Sequence, residues 1–305
     1  MKKVLLTGAS GFIGRQCLAP LSRRGYEIHA MWHSRGAFAP NVDGVQWHHF
    51  DLLKRNQISN LLKQLRPTHL LHCAWYAKPG KYWEAEENHQ WVDASLHLFE
   101  CFADVRGHRA VGVGTCAEYD WSQGRCTEFE TPLKPVSIYG KSKHKLRAAL
   151  EELANSKGLS LAWARVFFLF GPYEPPQRFV PSMINAMRAN AIAQCSHGSH
   201  LRDYLYVKDA AAAVVSLLDS AVTGPVNIAS GKAVTLKQMA SVIGQKLARQ
   251  ELLKFNEVKT SSEVIASTAR LNNEVGWSPK YDLDTGLEET IDWWKLNGAV
   301  GSPSN

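Results

Sequence analysis

The sequence predicts an α/β protein: a doubly wound parallel sheet followed by a smaller carboxy-terminal α/β region. Three observations predict it. Short apolar runs alternate with helix-periodic stretches through the first half of the chain. A glycine-rich turn joins the first apolar run to the first helical one. After Phe170 the alternation loosens into short helices, brief strands and polar turns. Alternation of this kind builds βαβ units, which form parallel sheets covered by helices on both faces.

Taken in order, Val4-Leu5-Leu6 reads as the first strand and Phe12 to Leu21 as the first helix. Tyr26 to Trp32 and Val45 to Phe50 read as the second and third strands. Helical spacing over Ile58 to Leu65 leads through Arg66-Pro67 to a fourth strand, His69 to Ala74. A long helix around Val92 to Ala103 precedes a fifth strand, Ala110 to Gly114. A basic helix from Tyr139 to about Ser156 is followed by a strand from Ser160 to Phe168. The later helices fall at Val180 to Ala189, Val207 to Leu218, Leu236 to Leu247 and Gly286 to Trp294. The expected division is residues 1–170, residues 171–297 with some elements returning to the first unit, and a frayed tail over 298–305.

Composition agrees with a globular enzyme-sized chain of 305 residues, 45% hydrophobic and 21% charged. The first apolar run stops at Gly8, too early for a secretory signal, and no stretch approaches the roughly 18 apolar residues of a membrane span. Six scattered cysteines without a C-x-x-C pair suggest a reducing cytoplasm and no structural zinc. The formal net charge of +7 has no long basic run behind it, so an anionic small molecule is expected rather than nucleic acid or membrane.

The cofactor site is expected where the first strand runs into Thr7-Gly8-Ala9-Ser10-Gly11-Phe12-Ile13-Gly14. Side chains at Gly8, Gly11 and Gly14 would keep the backbone away from a pyrophosphate, and the helix amino terminus offers free N–H groups. Ser10, Phe12 and Ile13 complete that turn. The second strand ends in Met31-Trp32-His33-Ser34-Arg35 without the carboxylate that would read the ribose of NAD. His33, Ser34 and Arg35 suit a 2′-phosphate instead, so NADP(H) is expected over NAD(H). Asp51 and Leu52 would border adenine, and Ala74 the cofactor beyond it. Tyr139 and Lys143 lie four apart on one helix face, where an ammonium lowers a neighbouring phenol toward neutrality. Tyr139 could then exchange a proton with a substrate oxygen, with Lys143 on the nicotinamide ribose and Thr115 orienting the same oxygen.

The spaced glycines, Thr115, Tyr139-x-x-x-Lys143, Gly171-Pro172 and Arg202-Asp203-Tyr204 resemble the extended short-chain dehydrogenase/reductases. In particular they resemble the NAD-dependent epimerase/dehydratases, which work on sugar nucleotides. The resemblance runs on through Val226-Asn227-Ile228-Ala229-Ser230-Gly231 to Gly276-Trp277-Ser278-Pro279. It implies a Rossmann-type first domain, a smaller substrate domain and a homodimer. Family dehydratases carry Asp-Glu directly after the threonine; Cys116-Ala117 stand there, which argues against dehydration. Glu118, one further on, is either a substitute or a structural carboxylate. Phe168 replaces an asparagine that family epimerases often aim at the substrate diphosphate. Arg202 is the expected phosphate ligand or half of a surface pair with Asp203. Trp75 and the loop to Trp83 should shape the sugar side, while Val180, Pro181 and Ile184 either wall the pocket or pack in the core. The leading expectation is an NADPH-dependent reductase of a keto-deoxysugar nucleotide. An epimerase, a reductase of non-sugar carbonyls and a non-catalytic NADP sensor are the alternatives.

Overall fold

The structure, a computed structural model, describes residues 2–32, 42–256 and 261–298. The first half contains β1 (Lys3–Thr7), α1 (Gly14–Arg23), β2 (Glu27–Trp32), β3 (Val45–His49), α2 (Arg55–Leu65) and β4 (His69–His72). Then follow α3 (Glu87–Asp104), β5 (Arg109–Thr115), β6 (Arg125–Cys126), α4 (Ile138–Lys157), β7 (Ser160–Val166) and β8 (Phe168–Phe170). The second half holds α5 (Phe179–Arg188), β9 (Ala193–Cys195), β10 (Leu201–Tyr206), α6 (Val207–Asp219) and β11 (Gly224–Ile228). It continues with β12 (Ala233–Thr235), α7 (Leu236–Leu247), β13 (Leu253–Phe255), β14 (Glu263–Ala266), α8 (Ala269–Asn273) and α9 (Leu283–Asn297).

Among the described residues, seven parallel strands form the central sheet in the order β11-β7-β5-β4-β1-β2-β3. The strand order reverses beside β1, the switch point where doubly wound sheets open a crevice at their carboxyl ends. Alternation along β1 shows why both faces are covered. Val4 and Leu6 pack with α1 and α6 residues such as Leu18 and Val214. Leu5 points the other way, into a layer with Ile58, Phe99 and Leu146 from α2, α3 and α4. No side chain of β1 after Lys3 reaches solvent appreciably, as expected for a buried parallel strand.

The expected strand from Ser160 to Phe168 breaks at Phe167. There β7 leaves the central sheet, and β8 pairs with β10 in a second sheet, β12-β10-β14-β6. Phe167 donates its N–H to the Ile228 carbonyl (3.1 Å) and buries its ring with Tyr119, Cys126 and Val264. This step carries the chain across the crevice, and β11 later returns to the edge of the central sheet. A separate apolar layer of Phe170, Ile184, Met239, Leu287 and Trp294 holds α5, α7 and α9 together. Among the described residues no helix is long and apolar enough to cross a membrane.

Candidate active site

A cleft of about 480 Å³ runs along the carboxyl ends of β1, β2, β4, β5 and β7. At one end stand Met31, Trp32, Asp51 and Leu52, and at its middle Gly8, Ser10, Gly11, Phe12, Ile13 and Gly14. Ala74, Trp75, Thr115, Tyr139, Lys143 and Phe168 line the far end. Fourteen separate sequence positions expected to meet cofactor or substrate therefore share one surface. His33, Ser34 and Arg35 lie outside the described residues.

The glycine turn fits a dinucleotide. Gly8 adopts φ 67°, and a Cβ there would sit 2.7 Å from the Ala74 nitrogen. A Cβ on Gly14 would come 2.2 Å from the Gly8 carbonyl oxygen, so α1 can start this close to β1 only without a side chain. No side chain caps the first turn of α1 and no acidic residue stands in it. The Arg15 and Gln16 N–H groups donate to the Gly11 and Ile13 carbonyls, so it is the positive dipole end of α1 that faces an anion in the cleft.

Thr115 ends β5 and caps the short turn Cys116–Glu118. Its hydroxyl accepts the Ala117 N–H at 3.2 Å, while Glu118 accepts the Thr115 N–H at 2.9 Å. Ser137 caps α4 in the same manner by accepting from the Gly140 N–H, which fixes the first turn bearing Tyr139. One turn on, Lys143 is buried, donates to the Val113 carbonyl at 2.7 Å, and lies 3.8 Å from the centroid of the Trp75 ring. Tyr82 and Trp83 stand edge to face against the Tyr139 ring, at 5.0 and 5.6 Å between centroids.

Here the electrostatics depart from the sequence expectation. Burial pushes the Tyr139 phenol up rather than toward neutrality, and the neighbouring Tyr82 adds to the rise; the Thr115 hydrogen bond opposes it. Burial also pushes the Lys143 ammonium down to about 7, against the opposing pull of Glu118 and Cys73. Desolvation dominates at both groups, each packed against aromatic rings. At neutral pH Tyr139 therefore holds its proton.

Two residues expected on the substrate side fall outside the lining, and Glu118 takes one of its two expected roles. Val180 is fully buried among Phe170, Met183 and Ile184 and does not line the cleft; its helical spacing reports core packing. Arg202 also lies outside the lining. Its guanidinium donates to the Leu201 and Ser262 carbonyls (2.8 and 2.9 Å) and to the Ser262 hydroxyl (2.9 Å), with the Phe168 ring 5.4 Å away. Asp203 is buried and accepts from Ser230, Gly231 and Ala266, which staples β10 to the turn between β11 and β12 and to β14. Glu118 is the structural carboxylate of the two alternatives: it is fully buried, paired with Arg165 at 3.1 Å and absent from the lining.

Trp121 and Arg178 line the cleft but have no counterpart in the sequence reading. Arg178 donates to the Tyr82 hydroxyl (3.0 Å) and faces Glu174 at 3.7 Å. Glu174 is buried with one oxygen unpartnered, and burial pushes its carboxyl up to about 8. The signal available was the pair Glu174-x-x-x-Arg178 after a turn, too common a spacing to separate from a surface ion pair.

A glycine turn opening a parallel sheet, with a half-buried tyrosine, a buried lysine one turn on and a threonine at the same crevice, defines a nicotinamide-dependent oxidoreductase of the short-chain dehydrogenase/reductase type. The chain belongs to the NAD dependent epimerase/dehydratase family, which matches residues 4–229. Among its relatives is a dTDP-4-dehydro-6-deoxy-D-allose reductase of Streptomyces bikiniensis, 25% identical, with 96% of each chain covered. UDP-glucuronate 4-epimerase 4 of Arabidopsis thaliana is 23% identical over 95% of this chain and 75% of its own. The fold matches a UDP-glucose 4-epimerase of Thermotoga maritima with a TM-score of 0.85 at 21% identity, covering 96% of this chain and 99% of that one.

Proposed function

We propose that this chain is an NADPH-dependent reductase of a keto-deoxysugar linked to a nucleoside diphosphate, with the keto group at carbon 4 of a 6-deoxyhexose. One observation carries the reading. Among the described residues lining the cleft, the single carboxylate is Asp51, at the adenosine end. The reacting end offers Thr115, Tyr139 and Lys143 inside a wall of Trp75, Trp83, Trp121 and Phe168. Water elimination needs an acid and a base beyond the tyrosine, and none stands there. Carbonyl reduction needs one proton donor, and an apolar wall suits a sugar that bears a methyl group in place of a hydroxymethyl.

When bound, the reduced cofactor supplies a hydride to the carbonyl carbon. Tyr139 gives its proton to the carbonyl oxygen, and Thr115 directs that oxygen by a hydrogen bond. Lys143 stabilises the phenolate left behind. The α1 amino terminus and the glycine turn would hold the cofactor pyrophosphate, and Asp51 and Leu52 its adenosine. The preference for NADPH rests on Arg35 and the missing carboxylate after β2. The cytoplasm and a homodimer are the setting proposed for it.

Epimerisation at the same carbon is the second reading, favoured by relatives such as the plant epimerase. Mixing the purified protein with NADPH and 4-keto-6-deoxy sugars carried on dTDP, GDP, CDP or UDP separates the two. Loss of NADPH equal to the sugar reduced supports the reductase. A 4-keto sugar has no configuration at carbon 4, so the epimerase is read with the corresponding 4-hydroxy sugar nucleotides and NAD(P)+. Formation of the carbon-4 isomer there without net cofactor consumption selects it.

A further inference from the structure

Beneath the cleft a chain of buried polar groups converges on Glu118. One carboxylate oxygen accepts the Thr115 N–H and the Trp163 indole N–H, each at 2.9 Å. The other accepts from Arg165 Nε at 3.1 Å. Arg165 donates onward to the Tyr119 hydroxyl (2.9 Å) and the Glu128 carbonyl (3.1 Å), and Tyr119 donates to Asn227 (2.8 Å). Asn227 in turn gives its own N–H to the Glu128 carboxylate at 2.9 Å. Neither Glu118 nor Arg165 has more than trace exposure. The strand beneath is shaped around them. A Cβ on Gly114 would lie 2.1 Å from the Trp163 indole nitrogen and 2.6 Å from the Glu118 oxygen.

We propose that Glu118 is a positioning residue of the catalytic centre: it pins the Thr115 main chain and provides the negative charge behind the Tyr139–Lys143 pair. The inference rests on the reading of Thr115, Tyr139 and Lys143 as the reacting set. A buried Glu–Arg pair is a weak source of stability, because desolvation of both ions offsets their attraction. Geometry gives this pair another use. Thr115 sits at the cap of a turn only three residues long, where two reciprocal hydrogen bonds decide its orientation.

The charge acts on both members of the pair in the same direction. Glu118 favours the ammonium of Lys143 and disfavours the phenolate of Tyr139. The other groups facing them are known. Arg165 on β7 and His144 on α4 face Glu118. Cys73 and His72, at the end of β4, face Lys143, and Cys116 and Tyr82 face Tyr139. Removing the Glu118 charge therefore lets Lys143 lose its proton, and Tyr139 its own, at lower pH.

The test uses protein labelled with carbon-13 at the lysine Cε, the Lys143 signal being assigned by its absence in Lys143→Arg. In Glu118→Gln the Lys143 titration midpoint should fall by roughly one pH unit, and the alkaline limb of kcat should fall with it. Glu118→Gln/Arg165→Gln removes the stranded guanidinium as well; it should regain thermal stability while the midpoint stays low. An unchanged midpoint in either folded variant reduces Glu118 to a partner of Arg165 and overturns the proposal. A wild-type midpoint far below 7 overturns it without any variant. Absence of wild-type turnover on every keto sugar would instead sink the proposed reaction and leave the lysine titration to decide on Glu118.

Discussion

The two ends of the cleft are built on different principles. At the cofactor end the binding surface is organised around one local backbone turn, Gly8 to Gly14, with Asp51-Leu52 and Ala74 at neighbouring strand ends. At the substrate end the surface is side chain, assembled from Trp75 and Trp83 between β4 and α3, Trp121 before β6, Phe168 on β8 and Arg178 just before α5. A backbone surface is set by local conformation, so glycine spacing announces it. A side-chain surface depends on where each element packs, which no local pattern records. The catalytic residues sit at the junction and share both characters, with adjacent turns fixed by caps and a chemistry decided by burial.

The largest effect should come at that junction. Tyr139→Phe removes the proton donor and is expected to lower kcat by about 10²–10⁴-fold with NADP binding kept, as turnover and cofactor titration would read. Unchanged turnover would take Tyr139 out of the mechanism. Next comes the backbone end. Gly14→Ala forces a methyl into the Gly8 carbonyl and should cost about 1–3 kcal/mol of stability, together with cofactor affinity. Gly11→Ala, whose Cβ would stand 3.1 Å from the same oxygen, should cost less. If the two variants bind cofactor equally, close approach is not what the glycines provide.

Burial at the substrate end makes a pH prediction. The Glu174 carboxyl is raised from 4.5 to about 8 in the fold, chiefly by desolvation. The folded state therefore binds the extra proton between those values, and stability falls as pH rises through that window. Glu174→Gln should leave the melting temperature unchanged near pH 4.5 and raise it at pH 8. A wild-type melting temperature equally insensitive to pH in both proteins would show Glu174 to be solvated and ionised.

Much of the fold was legible in the sequence, since apolar alternation places strands and helices without knowledge of their partners. Each early strand and helix occurs within a few residues of its expected place, and β1 to α1 carries the cofactor turn as read. The break at Phe167 was not legible, because a strand that changes sheets keeps an unbroken apolar run; only the Ile228 carbonyl shows where it leaves. The tyrosine–lysine spacing was visible, but the direction of the phenol's shift was not. It depends on Tyr82 and on burial under loops distant in sequence. Arg202 was placed by its motif, and a motif shared with relatives cannot distinguish a residue that meets substrate from one that braces the strand beside it. Val180 was placed by its helix, whose apolar spacing fits a pocket wall and a core alike.

The two arginines of the substrate end make the smallest prediction and the sharpest comparison. Arg178 faces the cleft, so Arg178→Ala should raise the substrate KM about tenfold, equivalent to ~1.4 kcal/mol, with little loss of stability. Arg202 spends its donors on Leu201 and Ser262, so Arg202→Ala should cost about 1 kcal/mol of stability and leave KM nearly unchanged. Val180→Ala should behave like the second, losing packing and not affinity. The reverse result, a large KM effect at Arg202 with the melting temperature intact, would mean that its guanidinium releases Ser262 to meet the diphosphate. The sequence reading would then stand for that residue, and the internal hydrogen bonds would describe its resting position.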